Sequence, residues 1–217
     1  MSAARPLLLV GAGGFARETA AAATVCPEWT VLGFCDDDPA RHGAAIDRLP
    51  VLGPAEIVHD HPGAAVLLCT GSPRNFASRT KLAARLGLPD DRYATLVHPA
   101  SSLAPGTELG AGTVLLAGVV VTAAQRIGRH VAVMPQVVLT HDDEVGDFST
   151  LASRVALGGG VVVEDGAYLG AGALVREGLT IGARALVGMG SVVLSDVPPG
   201  EIWAGVPARP LRPEVRA

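Results

Sequence analysis

Aromatic residues make up only 4% of this chain, and cysteine occurs three times. Cys26, Cys35 and Cys69 are odd in number and sit in apolar surroundings, so they read as reduced, buried thiols rather than a disulfide framework or a metal site. Lys and Arg form no cluster and the net charge is −4, which argues against nucleic acid as a partner. Long hydrophobic runs are also missing. The first apolar stretch, Leu7-Leu8-Leu9-Val10, is too short for a signal peptide or a membrane span, and the expectation is a cytoplasmic protein with no membrane partner. What remains is aliphatic and turn-rich: 49% hydrophobic residues and 27 glycines in 217 residues, enough core for one or two domains.

The aliphatic residues are periodic. Every sixth position from 97 onward is Val, Leu or Ile: Val97, Leu103, Leu109, Leu115, Val121, Ile127, Val133, Leu139, Val145, Leu151, Leu157, Val163, Leu169, Val175, Ile181, Val187 and Val193. This period fits neither an α-helix nor a hairpin meander, but it fits a hexapeptide β-helix. Each hexad is then a short strand and a corner, and three hexads close one coil of a triangular prism. The aliphatic residue points inward, and by strand alternation so does the residue two before it. Those second inward positions, among them Thr113, Val131, Val137, Asp143, Ser149, Val155 and Val161, are mostly small or β-branched, as a narrow interior requires. Glycines gather at the second and fourth places of the hexads, such as Gly158 and Gly160, where they are expected to supply corner dihedrals.

Ahead of the prism, strand-like and helix-like stretches alternate. Residues 6–10, 30–35 and 64–69 read as strands; the stretch from the glycine-rich turn to about residue 25, a short piece near 54–59 and residues 74–86 read as helices. Residues 93–97 form a last short strand entering the prism. The result is a small parallel α/β domain over residues 1–95, a β-helix over 96–197 and a C-terminal capping segment over 198–217. The first strand runs into Gly11-Ala12-Gly13-Gly14-Phe15, a turn able to present backbone N–H groups and a helix N-terminus to phosphate. Asp36, Asp37 and Asp38 follow at the spacing of a ribose contact. A tight strand–helix turn that needs glycine for packing alone explains the motif equally well. A dinucleotide oxidoreductase is disfavoured, because no second mononucleotide half is present to hold a nicotinamide.

Of six histidines, His42, His59 and His61 fall in loops or helix ends and read as solvated. His98 beside Pro99 reads as structural, and His130, in an ordinary hexad without a neighbouring acid, as a surface residue. His141 differs. The hexad Leu139-Thr140-His141-Asp142-Asp143-Glu144 sets ionisable groups side by side in a coil whose neighbours are aliphatic or small, and Asp143 falls on an inward position. An imidazole beside a carboxylate suits general-base work; a solvated corner with a local bulge is the plainer explanation. A metal centre needs three converging histidines, and none follows His141, so no metal is expected.

Runs such as Leu-Gly-Ala-Gly-Thr-Val (109–114), Ile-Gly-Arg-His-Val-Ala (127–132) and Val-Gly-Met-Gly-Ser-Val (187–192) resemble the hexapeptide-repeat acyltransferases, whose coil is left-handed. A Gly-x-Gly-Gly α/β domain joined to such coils, with His141-Asp142 mid-prism and Gly-Val-Pro-Ala-Arg (205–209) near the end, is similar to the sugar acetyltransferases of the sialic-acid, bacillosamine and perosamine pathways. That resemblance implies an acetyl-CoA-dependent N-acetyltransferase acting on a nucleotide-linked amino sugar. His141 is then the general base and Asp142 orients it. Gly159 matches an N–H donor to the acetyl carbonyl, and Thr150, Trp203 and Arg209 match cofactor-contacting positions. Gly11, Gly13, Gly14, Phe15 and Asp36 match the nucleotide-sugar site. A homotrimer with active sites between subunits is also implied. Thr150 and Phe15 stand where relatives carry histidine, and Met134 where some carry asparagine. A sugar O-acetyltransferase of the sialic-acid type and a non-catalytic nucleotide-sugar-binding trimer stay open as alternatives.

Overall fold

The structure, a computed structural model, describes residues 4–211; residues 1–3 and 212–217, the ends of the first and last predicted segments, lie outside the described residues. The N-terminal unit is built on β1 (Arg5–Val10), α1 (Gly14–Ala23), β2 (Trp29–Cys35), β3 (Ala45–Ile46), β4 (Leu49–Gly53), β5 (Ala65–Leu68) and α2 (Ser78–Leu86). Its sheet runs β3-β4-β2-β1-β5. Strands β5, β1, β2 and β4 are parallel, and β3 adds an antiparallel edge to β4. Leu7–Val10 of β1, Gly33–Cys35 of β2 and all of β5 are apolar and buried, as a parallel sheet covered by helices requires, while Arg5 and Thr30 at the strand starts are exposed. Helix α2 starts four residues later than the sequence suggests, because residues around Pro73 form turns, with Asn75 N–H donating to Ser72 O. It ends on Gly87 in the left-handed conformation (φ 56°). All three cysteines are free and buried, and burial pushes the Cys35 and Cys69 thiols up to about 12.

The chain leaves this sheet at Ala94, whose N–H donates to Val66 O, and enters the prism at Leu96, whose N–H donates to Thr113 O. From there two-residue strands follow every six residues and pair in parallel with strands eighteen residues away, forming three flat faces. The inward aliphatic positions from Leu115 to Val193 are all buried, and the second inward positions from Val131 onward are buried with them. Each such Val or Leu contributes about 1.5–3 kcal/mol by leaving water. Val97, Leu103 and Leu109 are only partly covered, because no coil lies beneath them. At the other end Ile202–Gly205 adds to one face and Ala208–Pro210 folds back on it, bringing Trp203 and Ala208 over the open core.

The fourth place of most hexads is left-handed: Gly160 has φ 71° and Asp142 φ 62°. Second-place glycines obey a different rule from the expected one. Gly158 has no positive φ; a Cβ there would lie 2.6 Å from the backbone nitrogen of Glu177 in the next coil. Close stacking of coils, not corner dihedrals, demands glycine at that place.

Candidate active site

The glycine-rich turn is held shut by the strand beside it. Asp36 Oδ2 accepts the Ala12 N–H (2.8 Å) and Oδ1 accepts the Asp38 N–H (3.0 Å), so this carboxylate shapes the turn rather than standing free. Gly11 (φ 107°) passes so near β5 that a Cβ would lie 2.8 Å from Cys69 O. Gly13 and Gly14 are exposed at the start of α1 and line a cleft of about 500 Å³. Phe15, Asp36 and Thr70 line it too, and α2 lays the face carrying Ser78, Lys81, Leu82 and Arg85 along it. Thr70 Oγ1 and Ser78 Oγ are buried there without a partner. Sequence reasoning passed over Thr70, Ser78 and Lys81: Thr70 only follows the stretch 64–69 read as a strand, and the other two lie in the helix-like stretch 74–86.

His141 projects from a prism corner. Its Nδ1 lies 2.8 Å from Asp142 Oδ2, which leaves Nε2 free. The two side chains are 70% and 84% exposed, so nothing among the described residues shelters them. Gly159, one coil on, lies directly against the imidazole; any Cβ there would collide with the ring. His141 O accepts the Gly160 N–H (2.9 Å). At another corner the third-place N–H groups are taken: Asp147 accepts from Arg129 N–H and Asp165 from Asp147 N–H. The Gly159 N–H has no acceptor among the described residues. Beneath the corner, Asp143 is 1% exposed and accepts the Thr140 and Val161 N–H groups. Burial pushes its pKa up, against the pull of those two donors.

Between the two units runs a seam organised by Arg79 of α2, 1% exposed. Its guanidinium donates to Thr70 O (2.8 Å) on one side and to His130 O (3.0 Å), Phe148 O (2.8 Å) and Thr150 Oγ1 (2.7 Å) on the other. Burial lowers its pKa to about 10, so it stays charged at neutral pH. His130, expected at the surface, is instead 3% exposed, stacked on Phe148 and met edge-on by Tyr93. The hexad pattern marks a fourth-place side chain as outward, and here outward means into the neighbouring unit.

These placements separate the predicted site residues. Thr150 lies at the seam, where Phe15, Gly71, Arg79, Met134 and Tyr168 surround a small cleft of about 140 Å³. Phe15 and Gly71 also line the larger cleft. Ser153 and Ala171, third-place residues of one corner, flank the small cleft; His141 and Gly159 occupy the corner that follows. Trp203 is buried in the prism core with Nε1 donating to Glu201 (2.7 Å), and exposed Arg209 donates to Ala208 O. One chain therefore brings together Gly11–Phe15 with Asp36, and His141–Asp142 with Gly159; Thr150 adjoins the first group through Phe15 at the small cleft, while Trp203 and Arg209 join neither.

Residues 6–65 match the family described as PglD N-terminal domain, and residues 100–123 and 160–195 match the hexapeptide repeat of succinyl-transferase. No curated protein matches the chain. Among solved structures it is similar to a mutant of GDP-perosamine N-acetyl transferase from Caulobacter crescentus in complex with CoA and GDP-perosamine. Identity is 30% and the TM-score 0.84, covering 96% of this chain and 97% of that one. The acetyltransferase domain of PglB from Neisseria gonorrhoeae aligns at 27% identity and TM-score 0.83, covering 95% of this chain and all of that one. WeeI from Acinetobacter baumannii, at 24% identity and TM-score 0.67 over 94% of this chain and 99% of that one, shares the fold.

Proposed function

The chain belongs to the hexapeptide-repeat sugar acetyltransferases, which join a small α/β domain to a left-handed parallel β-helix, and from that premise we propose that it transfers the acetyl group of acetyl-CoA to the amino group of a nucleotide-linked sugar. The observation that carries this reading is the exposed His141–Asp142 pair seated against Gly159, whose N–H is uncommitted. The relative from Caulobacter crescentus was solved with CoA and GDP-perosamine, and that pair of ligands defines the substrate class.

The chemistry follows from these groups. Asp142, on Nδ1, fixes the tautomer that leaves Nε2 as an acceptor and stabilises the imidazolium that forms. The sugar nitrogen adds to the thioester carbonyl carbon, and His141 Nε2 takes a proton from it. Oxygen becomes negative in the tetrahedral adduct, and the Gly159 N–H, in a corner with no competing acceptor, donates to it. The adduct collapses by breaking the carbon–sulfur bond, and the imidazolium returns the proton to the departing thiolate. The nucleotide handle is taken by the cleft at Gly13 and Gly14, where Lys81 and the N-terminus of α1 suit a diphosphate.

A second copy of the chain completes this site. One prism face presents Val120, Val138, Ala156, Leu174 and Val192 outward, whereas the next presents Glu108, Arg126 and Glu144. His141 lies just past Val138-Leu139, at the edge of the apolar face, and on a different corner from the two clefts that Phe15 lines. A homotrimer packed through that face covers the exposed pair and brings one chain's base to its neighbour's sugar.

The test is thiol release from acetyl-CoA with GDP-perosamine and a panel of UDP- and dTDP-amino sugars, for wild type and His141→Ala. Turnover with one acceptor, lowered by about two orders of magnitude or more in the variant while the assembly stays that of wild type, is expected. Near-normal turnover in His141→Ala would sink the mechanism, and silence across the panel the substrate class.

A further inference from the structure

The prism's hydrogen-bond ladder is regular, and it breaks at the candidate base. Each residue after an inward aliphatic donates its N–H to the aliphatic carbonyl of the next coil: Thr122 to Leu139 O, Gly128 to Val145 O, Met134 to Leu151 O, Gly158 to Val175 O. By that rule Thr140 would donate to Leu157 O. Its N–H goes instead to Asp143 Oδ2 (2.7 Å), and Leu157 O accepts from the Thr140 hydroxyl (3.2 Å). Strand pairing there shrinks to Val138↔Ala156, while the pairs below and above keep both residues.

Asp143 also reaches one coil on. Some fifth-place N–H groups fold back on the carbonyl three residues earlier, as in Val155 to Ala152 O and Ala173 to Gly170 O, while those of Val119, Val137 and Ser149 do not. Val161 donates to Asp143 Oδ1 instead (2.9 Å). Thr113 also captures such a group, from Val131 (3.0 Å), yet its own coil keeps the regular bond from Gly110 to Ile127 O. Only a carboxylate offers two divergent acceptor oxygens without a donor. The two bonds of Asp143 bracket Thr140–His141 on one coil and Gly159–Gly160 on the next.

We infer that Asp143 is a positioning residue of the transfer reaction: by drawing the Thr140 N–H out of the coil's ladder and holding the Val161 N–H of the next coil, its buried carboxylate sets the His141 imidazole against Gly159. The inference rests on the reading of His141 as the base. It also accounts for a carboxylate where other coils carry Val, Ala, Leu, Ser, Thr or, directly below it, Gln125, a placement that costs stability on its own. Strain held at a reacting centre persists only where the surroundings enforce it.

The experiment compares Asp143→Val, Asp143→Asn, His141→Ala and the His141→Ala/Asp143→Val double variant by thiol release, with acetyl-CoA and the amino-sugar nucleotide that wild type turns over. Melting temperature is followed alongside. Asp143→Val supplies the usual residue of this place and lets the ladder close, so its Tm should rise. Its kcat should fall about tenfold to a hundredfold, the cost of misplacing a reacting group by under an ångström, with both KM values unchanged. Asp143→Asn keeps the shape but turns an amide donor toward one of the two N–H groups, so its kcat should fall and its Tm should drop by a few degrees. On the His141→Ala background, Asp143→Val should change residual turnover no further.

Wild-type kcat in Asp143→Val and Asp143→Asn overturns the proposal, as do kcat and Tm falling together in both, or losses that add in the double variant. Should Asp143→Val not fold, Asp143→Asn decides. Full turnover in His141→Ala refutes the base itself, and this is distinguishable because an inactive His141→Ala beside a fully active Asp143→Val refutes positioning alone.

Discussion

Acid should loosen this molecule at its seam, through one residue. His130 is 3% exposed between Tyr93 and Phe148, and its Nδ1 is buried without a partner. Burial first, then the Arg129 and Arg79 cations, hold its pKa down to about 4 from the ordinary 6.5, against a smaller opposite pull from Asp90 and Asp147. The folded state thus resists a proton that the unfolded chain accepts. Between these two values the unfolded state binds more protons, so stability rises with pH there. It is fully present above 6.5 and is lost as pH falls toward 4. Linkage gives a loss of about 2 kcal/mol at pH 5 and a limit of about 3 kcal/mol below pH 4. For a chain of this length 2 kcal/mol corresponds to roughly 4–8 °C in Tm. Melting curves from pH 7.5 to 4.5 for wild type and His130→Phe, which keeps the ring stack without a titrating nitrogen, measure this term directly. The wild-type curve should fall more steeply below pH 6.5 by that amount. Parallel curves would refute the reasoning, because they would show that His130 is as easily protonated in the fold as outside it.

Two further expectations concern the site and the seam. Gly159→Ala places a methyl group where the imidazole sits; kcat should drop about a hundredfold with Tm close to wild type, read by thiol release and calorimetry. Arg79→Met leaves the carbonyls of Thr70, His130 and Phe148 without their donor, and since each buried acceptor so stranded costs about 1–3 kcal/mol, Tm should fall by several degrees. Because Thr70 lines the nucleotide cleft, KM for the sugar nucleotide should rise in this variant while KM for acetyl-CoA holds.

Much of the prism is legible in the residues because its physics is translational. Each coil repeats the burial problem of the last, so a six-residue beat of aliphatics specifies strand, register and inward face together, and Asp143 stood out as an inward carboxylate before any coordinate was known. His141 beside Asp142 was visible by the same contrast, as was the glycine-rich turn, whose Gly11 has no room for a side chain. What the repeat cannot carry is what its outward residues meet. His130 and Phe148 hold the same hexad place as Asp142, yet the first two face the α/β unit and the third faces water. Arg79 looks like any polar residue on a short helix, and its bond to Thr150 spans 71 residues of chain. The double capture by Asp143 and the division of clefts and base between neighbouring corners likewise depend on how coils and units stack in space. Local periodicity fixed the interior of this protein; only tertiary packing decided the environment of each side chain that leaves it.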